Sequence, residues 1–541
     1  MKLTKEEYKV LEDIVGPEYI TQEPVIMESY NQIWGNKLAF GDKRHNPPAA
    51  VLLPANVAEI QMIVRYCNKT GILFKASARA FEYVATKLAS ERGILLELKR
   101  MNKILEIDVK NMHAVVEPFV TVWELQNAAG KVGLYTGKPG VGYTASVISL
   151  ACCHQEMTIS QLYTSGYGRN VLGCEWVLPT GEILYLGTAG REEGWFSGDG
   201  PGFSLRGILR GRAGANGGNG VITKCAVKLY PWYASTPMTY EMKRQPGEAI
   251  SAAMLEKVPE NYHVVVLTFP DTEKMMKAST EIGQAELACI VAPAYLANGV
   301  MEEGNDEQYA KMKDMKPQDP TKAVRSVPVF VNGHSTRELE YRKKAVMAVM
   351  KKWNGYLDPE YNDPRELAHR FQYQMWSVGT SMRPTGDFMV SIQGADGSTE
   401  MHLNYRPVEF DAFKPFVSRG SIVQPNMGMS YRPMEHYSLG SSGGIATGYD
   451  PWDPDSLAAA REYMDLVYDV NSPFKRFSYT NRGAMMQVED IEHIHQRWGP
   501  IYDNADVWLQ KVRNMLDPNR VADWSGYIPP EYAKEDKKAE S

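Results

Sequence analysis

Residues 93–134, GILLELKRMNKILEIDVKNMHAVVEPFVTVWELQNAAGKVGL, decide the fold. The apolar runs 94–98 and 113–117 have the length and the Val, Ile and Leu content of buried strands. Thr121 precedes Glu124 by three residues, which is the spacing of a capping box at the start of a helix. Gly133 is placed to end that helix. The succession of two strands and a helix predicts a mixed α+β domain.

The flanking residues extend the same pattern. Residues 54–71 are predicted to form a helix, because apolar residues recur at i, i+3, i+4 and i+7 and Gly71 stands where a C-terminal cap belongs. The four apolar positions are Ile60, Ile63, Val64 and Cys67. Residues 174–178 and 183–186 flank Thr180 and Gly181, which predicts a hairpin. Residues 220–230 predict a further strand, closed by Pro231.

The chain changes character after Trp232. Helices are predicted over 337–353 and 454–468, and strands over 263–269, 388–393 and 402–405. The predicted organisation is an N-terminal extension (1–45), a first domain (46–235), a second α+β domain (236–485), and a C-terminal return segment and tail (486–541).

Composition narrows the class of protein. The 541 residues are 44% hydrophobic and 23% charged, with a formal net charge of −6, which is ordinary for a globular protein and argues against nucleic acid as a partner. No apolar run reaches the roughly 18 residues that span a bilayer, and the first residues lack the apolar core of a secretory signal. None of the six cysteines forms a CxxC pair, so no iron–sulfur or zinc site is predicted. We expect a cytoplasmic protein without a membrane span or a metal site.

Four segments together resemble one family. Residues 46–72, 93–134, 167–187 and 214–232 follow, in order, the FAD-binding domain of the superfamily that includes vanillyl-alcohol oxidase, the flavin subunit of 4-cresol dehydrogenase and the glycolate oxidase-like enzymes. Residues 516–520, LDPNR, resemble the turn with which these enzymes return to the flavin domain. The resemblance implies a two-subdomain FAD-binding domain of the p-cresol methylhydroxylase (PCMH) type, with an inserted α+β cap (substrate) domain.

The resemblance also implies which residues bind FAD. Turns at strand ends would present backbone N–H groups to the pyrophosphate. The glycine-rich segment at 214–220 matches a family pattern that lines the flavin, and Arg79 could offer a charge to a phosphate. The predicted cofactor-binding residues are Ser77, Ala78, Arg79, Ala80, Phe81, Pro139, Gly140, Ser146, Ser149, His154, Gly214, Gly217, Gly220, Val221 and Ile222.

Two of these loops depart from the family pattern. The first is the loop that binds the pyrophosphate in the family, which corresponds to residues 76–84. Three of its positions that usually hold glycine are Ala78, Glu82 and Val84 here. Residues 146–154, SVISLACCH, contain no glycine at all. Two interpretations therefore stay open. Either FAD binds with altered loops, or the chain is a flavin-free structural or regulatory subunit of a complex with an intact FAD-binding homologue.

In the enzyme interpretation, the chain removes a hydride from an alcohol or benzylic carbon of an aromatic alcohol, a para-alkylphenol or a hydroxy acid. Electrons would pass to a partner protein or another acceptor, and we expect a homodimer or a hetero-complex with a homologous flavin subunit or an electron-transfer subunit. A tyrosine–arginine pair suits an anionic phenolate or carboxylate. The candidate catalytic residues are Tyr479, Arg482, His436, Arg432 and His402.

Overall fold

The first sheet is built around three parallel strands, two of which are connected by a helix. In the computed structural model, strands β2 (Ala50–Leu52), β3 (Phe74–Ser77) and β4 (Ile94–Glu97) pair in parallel, with β4 in the middle. Strand β1 (Ile20–Thr21) adds antiparallel to β2 and completes the order β1-β2-β4-β3. The described residues are 3–30, 46–78, 88–139, 145–153, 158–159, 170–188, 194–195, 205, 208, 219–234, 257–291, 325–376, 387–393, 411–412, 414–416, 418–419, 444–450, 452–469, 471 and 504–523.

Helix α3 (Val57–Thr70) crosses between β2 and β3. It begins three residues later than predicted because the Asn56 side chain accepts the Glu59 N–H and caps the first turn. It ends at Gly71, whose φ of +68° is the left-handed cap conformation. The four predicted apolar side chains are completely buried against the sheet. Burial contributes about 1.5–3 kcal/mol for each aliphatic side chain.

The N-terminal residues belong to this core. Helices α1 (Lys5–Val15) and α2 (Pro24–Ser29) flank a short 3₁₀ turn, Pro17–Tyr19, and strand β1. Leu11 and Val15 of α1 are buried in the same cluster as α3 and the first sheet. The described part of the predicted extension therefore packs as a component of the first domain.

The second sheet has the order β11-β10-β12-β6-β5 and is antiparallel throughout. The hairpin predicted around Thr180 and Gly181 is present as β10 and β11. Helix α4 (Val122–Gly130) packs on this sheet and carries the predicted capping box between Thr121 and Glu124. It ends three residues before Gly133. The five strands are β5 (Ile104–Asp108), β6 (His113–Val116), β10 (Val171–Val177), β11 (Ile183–Leu186) and β12 (Val221–Lys228).

The remaining part of the first domain is held by short pairs. Strand β7 (Leu134–Tyr135) pairs with β13 (Tyr230–Pro231), and β8 (Lys138–Pro139) pairs with β9 (Thr158–Ile159). A short π-helical turn spans Ser149–Cys153.

The second α+β region contains an antiparallel sheet with the order β14-β16-β15 and a separate pair, β17–β18. Helix α8 (Pro454–Tyr468) has the predicted bounds, and helix α6 (Thr336–Lys352) lies within one residue of its prediction. The predicted strand 402–405 lies outside the described residues. The elements are β14 (Tyr262–Thr268), α5 (Thr272–Gln284), β15 (Ile290–Val291), β16 (Ser326–Asn332), α6 (Thr336–Lys352), α7 (Pro364–Trp376), β17 (Asp387–Gln393), β18 (Gly444–Tyr449) and α8 (Pro454–Tyr468).

The C-terminal segment returns to the first sheet after helix α9 (Ala505–Leu516). Phe74 donates its N–H to the Val521 carbonyl at 2.9 Å and accepts the Asp523 N–H at 2.8 Å. The Asp523 carboxylate accepts the Ala89 N–H at 2.7 Å. The return segment thus contacts both β3, which precedes residues 79–87, and Ala89, which follows them.

Candidate flavin site

Two segments predicted to bind the cofactor meet at the end of β3. The Ser149 hydroxyl donates a hydrogen bond to the Ala78 carbonyl, with an Oγ–O distance of 2.8 Å. Ser77 is the last residue of β3, and its carbonyl accepts the Leu98 N–H at 3.0 Å. Ala78 and Ser77 are buried. The end of β3 and the described part of the glycine-free segment, residues 146–153, are therefore neighbours in space.

Ser146 shapes the second of these segments. It is completely buried, and its hydroxyl donates to the Pro118 carbonyl at 2.5 Å. The same hydroxyl accepts the Ser149 N–H at 3.1 Å, which fixes the start of the π-helical turn. Such turns are frequent at functional sites. Both hydrogen bonds of the Ser146 side chain are made within the protein, and its contribution is to position Ser149.

Gln126 is a residue that the sequence analysis missed. It lies on the buried face of α4 with Val122, Leu125 and Ala129. Its Oε1 accepts both the N–H and the hydroxyl of Thr136, at 2.9 and 2.5 Å. Its buried amide nitrogen has no hydrogen-bond partner among the described residues. A glutamine at an apolar position of an amphipathic helix was the available signal.

The backbone at Gly137, which follows Thr136, has open space beside it. Gly137 has a φ of +80°, and an added Cβ there would meet no described atom within 4 Å. Pro139 follows in β8, and Gly140 lies outside the described residues. Buried polar atoms are nearly always hydrogen-bonded in folded proteins, so the orphaned Gln126 nitrogen suits a ligand that offers an acceptor.

Gly220, Val221 and Ile222 have structural reasons for their identities. A Cβ on Gly220 would lie 2.2 Å from the Val177 carbonyl oxygen, and the φ of Gly220 is +97°. Only glycine fits this close approach of two backbones. Val221 and Ile222 are buried in the two hydrophobic cores of the first domain. The described structure accounts for these three residues through packing.

The other predicted site residues lie outside the described residues. These are Arg79, Ala80, Phe81, His154, Gly214 and Gly217 of the cofactor set and His402, Arg432, His436, Tyr479 and Arg482 of the catalytic set. Their roles stay predictions.

An aromatic cluster joins the second region to the flavin-type domain. The Trp232 ring lies 5.9 Å from the Tyr135 ring, 5.1 Å from the Tyr262 ring and 6.2 Å from the Phe371 ring, measured between centroids. Phe371 belongs to α7 and Tyr262 to β14, whereas Tyr135 lies in β7, two residues before Gly137. Helix α7 is therefore packed beside the strand that leads to the predicted 139–140 turn.

The cysteines near this region are buried thiols. The five cysteines whose side chains are described, Cys67, Cys152, Cys174, Cys225 and Cys289, form no disulfide. A hydrogen bond with Cys225, together with burial, holds the pKa of Cys152 well above its ordinary value. Because the thiolate is the nucleophilic form, this pKa argues against a nucleophilic role for Cys152.

Comparison with known proteins identifies the domain. Residues 48–187 match the family model for the FAD binding domain. The chain is 30% identical over 188 residues to an uncharacterised FAD-linked oxidoreductase of Mycobacterium tuberculosis, covering 34% of this chain and 38% of that protein. It is 28% identical over 184 residues to a glycolate oxidase subunit of Bacillus subtilis, covering 34% and 37%. The matches span less than two fifths of these relatives.

The similarity in fold to a solved structure covers nearly the full sequence. The structure of p-cresol methylhydroxylase with substrate bound superposes with a TM-score of 0.70 at 16% identity, covering 97% of this chain and 98% of that one. The predicted α+β fold of the PCMH type is thereby confirmed. In the described part of the chain, no helix is both long and apolar enough to cross a membrane.

The described residues fit FAD as the cofactor. Strand β3 ends at Ser77, and the following Ala78 contacts Ser149. The Gln126 amide is a buried donor without a described partner, and a Cβ on Gly137 would meet no described atom. These features match the need of a dinucleotide for donors and close backbone approach. Residues 48–187 thus form an FAD binding domain, in a chain whose fold is that of p-cresol methylhydroxylase.

Proposed function

We propose that this protein is an FAD-linked oxidoreductase that removes a hydride from a hydroxyl-bearing or benzylic carbon. The observation that carries the proposal is the contact between Ser149 and Ala78, which brings two predicted cofactor segments together within the FAD binding domain. FAD, when bound, supplies the hydride acceptor. The protein supplies donors and charge: the Gln126 amide, the backbone at the end of β3, and the Arg79 guanidinium.

We propose that the cap region, residues 236–485, forms the substrate pocket. Tyr479 and Arg482 would bind an anionic phenolate or carboxylate, and His402, Arg432 and His436 are candidates for holding or moving a proton. Two classes of substrate follow from the relatives. One relative is named as a glycolate oxidase subunit and the structural neighbour as p-cresol methylhydroxylase, so 2-hydroxy acids and para-alkylphenols are the classes to compare.

Electrons would leave to an acceptor outside the chain. We propose a homodimer, or a hetero-complex with a homologous flavin subunit or an electron-transfer subunit, in the cytoplasm. Native mass measurement on protein purified from its own source tests the assembly. A monomer with no co-purifying chain would contradict this part of the proposal.

Purified protein tests the central proposal. We expect a yellow protein with about one flavin per chain that bleaches anaerobically with either a para-alkylphenol or a 2-hydroxy acid. The Arg79→Ala variant removes a charge-assisted contact worth about 1.5–3 kcal/mol and should weaken FAD retention roughly tenfold or more. Arg337→Ala, at an exposed position on α6, is the matched control and should retain FAD.

The same experiment distinguishes this proposal from the alternative, a flavin-free subunit of a complex. If the protein is colourless and binds no added FAD, the oxidoreductase proposal fails and the flavin-free subunit interpretation stands. Flavin that binds but is reduced by neither class of substrate would limit the failure to the choice of substrate.

A further inference from the structure

A carboxylate–histidine cluster lies on the β5–β6 hairpin, apart from the residues of the candidate flavin site. Glu106 and Asp108 are two residues apart on β5, so their side chains leave the same face of this edge strand. His113 on β6 is the direct partner of Asp108 in the antiparallel register. One ligand atom from each of the three residues lies within 4.8 Å of those of the other two.

The histidine is the decisive member of the cluster. His113 is only 1% exposed, and neither of its ring nitrogens has a hydrogen-bond partner among the described residues. Its Nε2 lies 3.8 Å from a Glu106 carboxylate oxygen, and its Nδ1 lies 4.0 Å from an Asp108 carboxylate oxygen. Both separations are too long for hydrogen bonds. A buried imidazole thus faces two carboxylates without bonding directly to either.

These separations suit an ion between the groups. Two ligands at about 2.0–2.1 Å from a tetrahedral zinc ion lie about 3.3 Å from each other. The three ligand atoms here, one of them a single imidazole nitrogen, lie within 4.8 Å of one another, so side-chain shifts of at most about 1.5 Å would close the site. Imidazole nitrogen favours a first-row transition metal over magnesium or calcium, which prefer ligand sets made only of oxygen.

Hydrogen bonds from Asn111 orient the Asp108 carboxylate. The Asn111 backbone N–H and side-chain amide donate to the two Asp108 oxygens at 2.8 and 2.6 Å. Such second contacts orient metal ligands. The Glu106 side chain is 47% exposed and that of Asp108 is 23% exposed, so an ion could enter from solvent and keep water as a further ligand.

We propose that Glu106, Asp108 and His113 form a binding site for a divalent transition-metal ion, with Zn²⁺ as the best match. The ion would tie the edge strand β5 to β6 and satisfy the buried imidazole. The absence of a CxxC pair predicted no zinc site, but it does not bear on a site whose ligands are two carboxylates and a histidine from two strands.

The test uses the full-length protein, stripped with a chelator and titrated with Zn²⁺ at neutral pH against a chromophoric competitor. We expect one ion to bind with a dissociation constant in the micromolar range or below. Glu106→Gln and Asp108→Asn keep the shape of each side chain and should weaken binding at least tenfold. Glu273→Gln changes an exposed carboxylate on α5 and should leave the affinity unchanged.

A second readout identifies the nitrogen ligand. Co²⁺ in place of Zn²⁺ should give visible absorption bands whose intensity falls in a His113→Gln variant that still melts cooperatively. Absence of saturable Zn²⁺ binding overturns the proposal. Binding that Glu106→Gln and Asp108→Asn leave unchanged also overturns it, because the ion would then lie elsewhere in the protein.

Discussion

Substitution of Asp523 tests whether the C-terminal segment stabilises the first domain through its contacts with β3 and Ala89. Its carboxylate is almost completely buried, accepts the Ala89 N–H at 2.7 Å, and lies 3.8 Å from the buried Lys75 ammonium. In an Asp523→Ala variant the Ala89 N–H loses its acceptor, and the Lys75 ammonium loses the facing carboxylate. An unsatisfied donor costs about 1–3 kcal/mol, and breaking a buried ion pair costs about 3–5 kcal/mol.

The Lys75–Asp523 separation is long for an ion pair, so we expect its loss to cost less than the range for a buried pair, and the combined loss to be about 3 kcal/mol. For a domain of about 200 residues this corresponds to a fall in Tm of about 6–12 °C. Differential scanning calorimetry measures the change. Asp465→Ala, at an exposed position on α8, should shift Tm by less than about 2 °C.

A double variant identifies the cause of the loss. Adding Lys75→Met removes the buried charge, so the double variant should recover part of the Tm lost by Asp523→Ala. FAD retention should fall in the single variant, because Ala89 and β3 flank residues 79–87. An unchanged Tm in Asp523→Ala would refute the reasoning that the return segment stabilises the contacts with β3 and Ala89 on either side of residues 79–87.

Three further predictions concern single residues. Gly220→Ala forces a Cβ to within 2.2 Å of the Val177 oxygen, so we expect insoluble protein or a loss of more than about 4 kcal/mol in chemical denaturation. Burial lowers the pKa of His263, so its contribution to stability is present above the unfolded pKa of about 6.5 and is lost as the pH falls through the folded pKa. Tm measured from pH 8 to pH 5 should therefore drop less in His263→Gln than in the natural protein. Ser149→Ala removes the hydrogen bond to Ala78, worth about 0.5–1.5 kcal/mol, and should weaken FAD binding about two- to tenfold in a fluorescence titration; an unchanged affinity would show that this contact does not support the site.

Local features were predictable from the sequence because their causes are local. The capping box at Thr121 and Glu124 and the left-handed cap at Gly71 need only neighbouring residues, and both are present. The bounds of α8 were predicted for the same reason. The start of α3 was missed because either Pro54 or Asn56 could open the helix, and the Asn56 side-chain hydrogen bond decides between them.

Contacts between residues that are distant in the sequence were harder to predict from it. Strand β1 has two residues, and its pairing with β2 depends on packing of α1 against α3 and not on a pattern within residues 20–21. The metal-ligand geometry of His113 depends in the same way on the register between β5 and β6. A resemblance to a family located the sheets and the return segment, but it said nothing about contacts that are particular to this chain.

The candidate site shows why a count of glycines is a poor guide to cofactor binding. Gly220 fits the family pattern, yet the Val177 carbonyl alone requires a glycine there. Ala78 departs from the pattern, yet its methyl group is buried and Ser149 contacts its backbone oxygen, a contact that any residue at this position can make. Packing alone therefore explains Gly220, and the alanine at position 78 does not by itself exclude a bound cofactor. Stronger support comes from the Gln126 amide, because its buried unpaired nitrogen calls for an acceptor from outside the described chain.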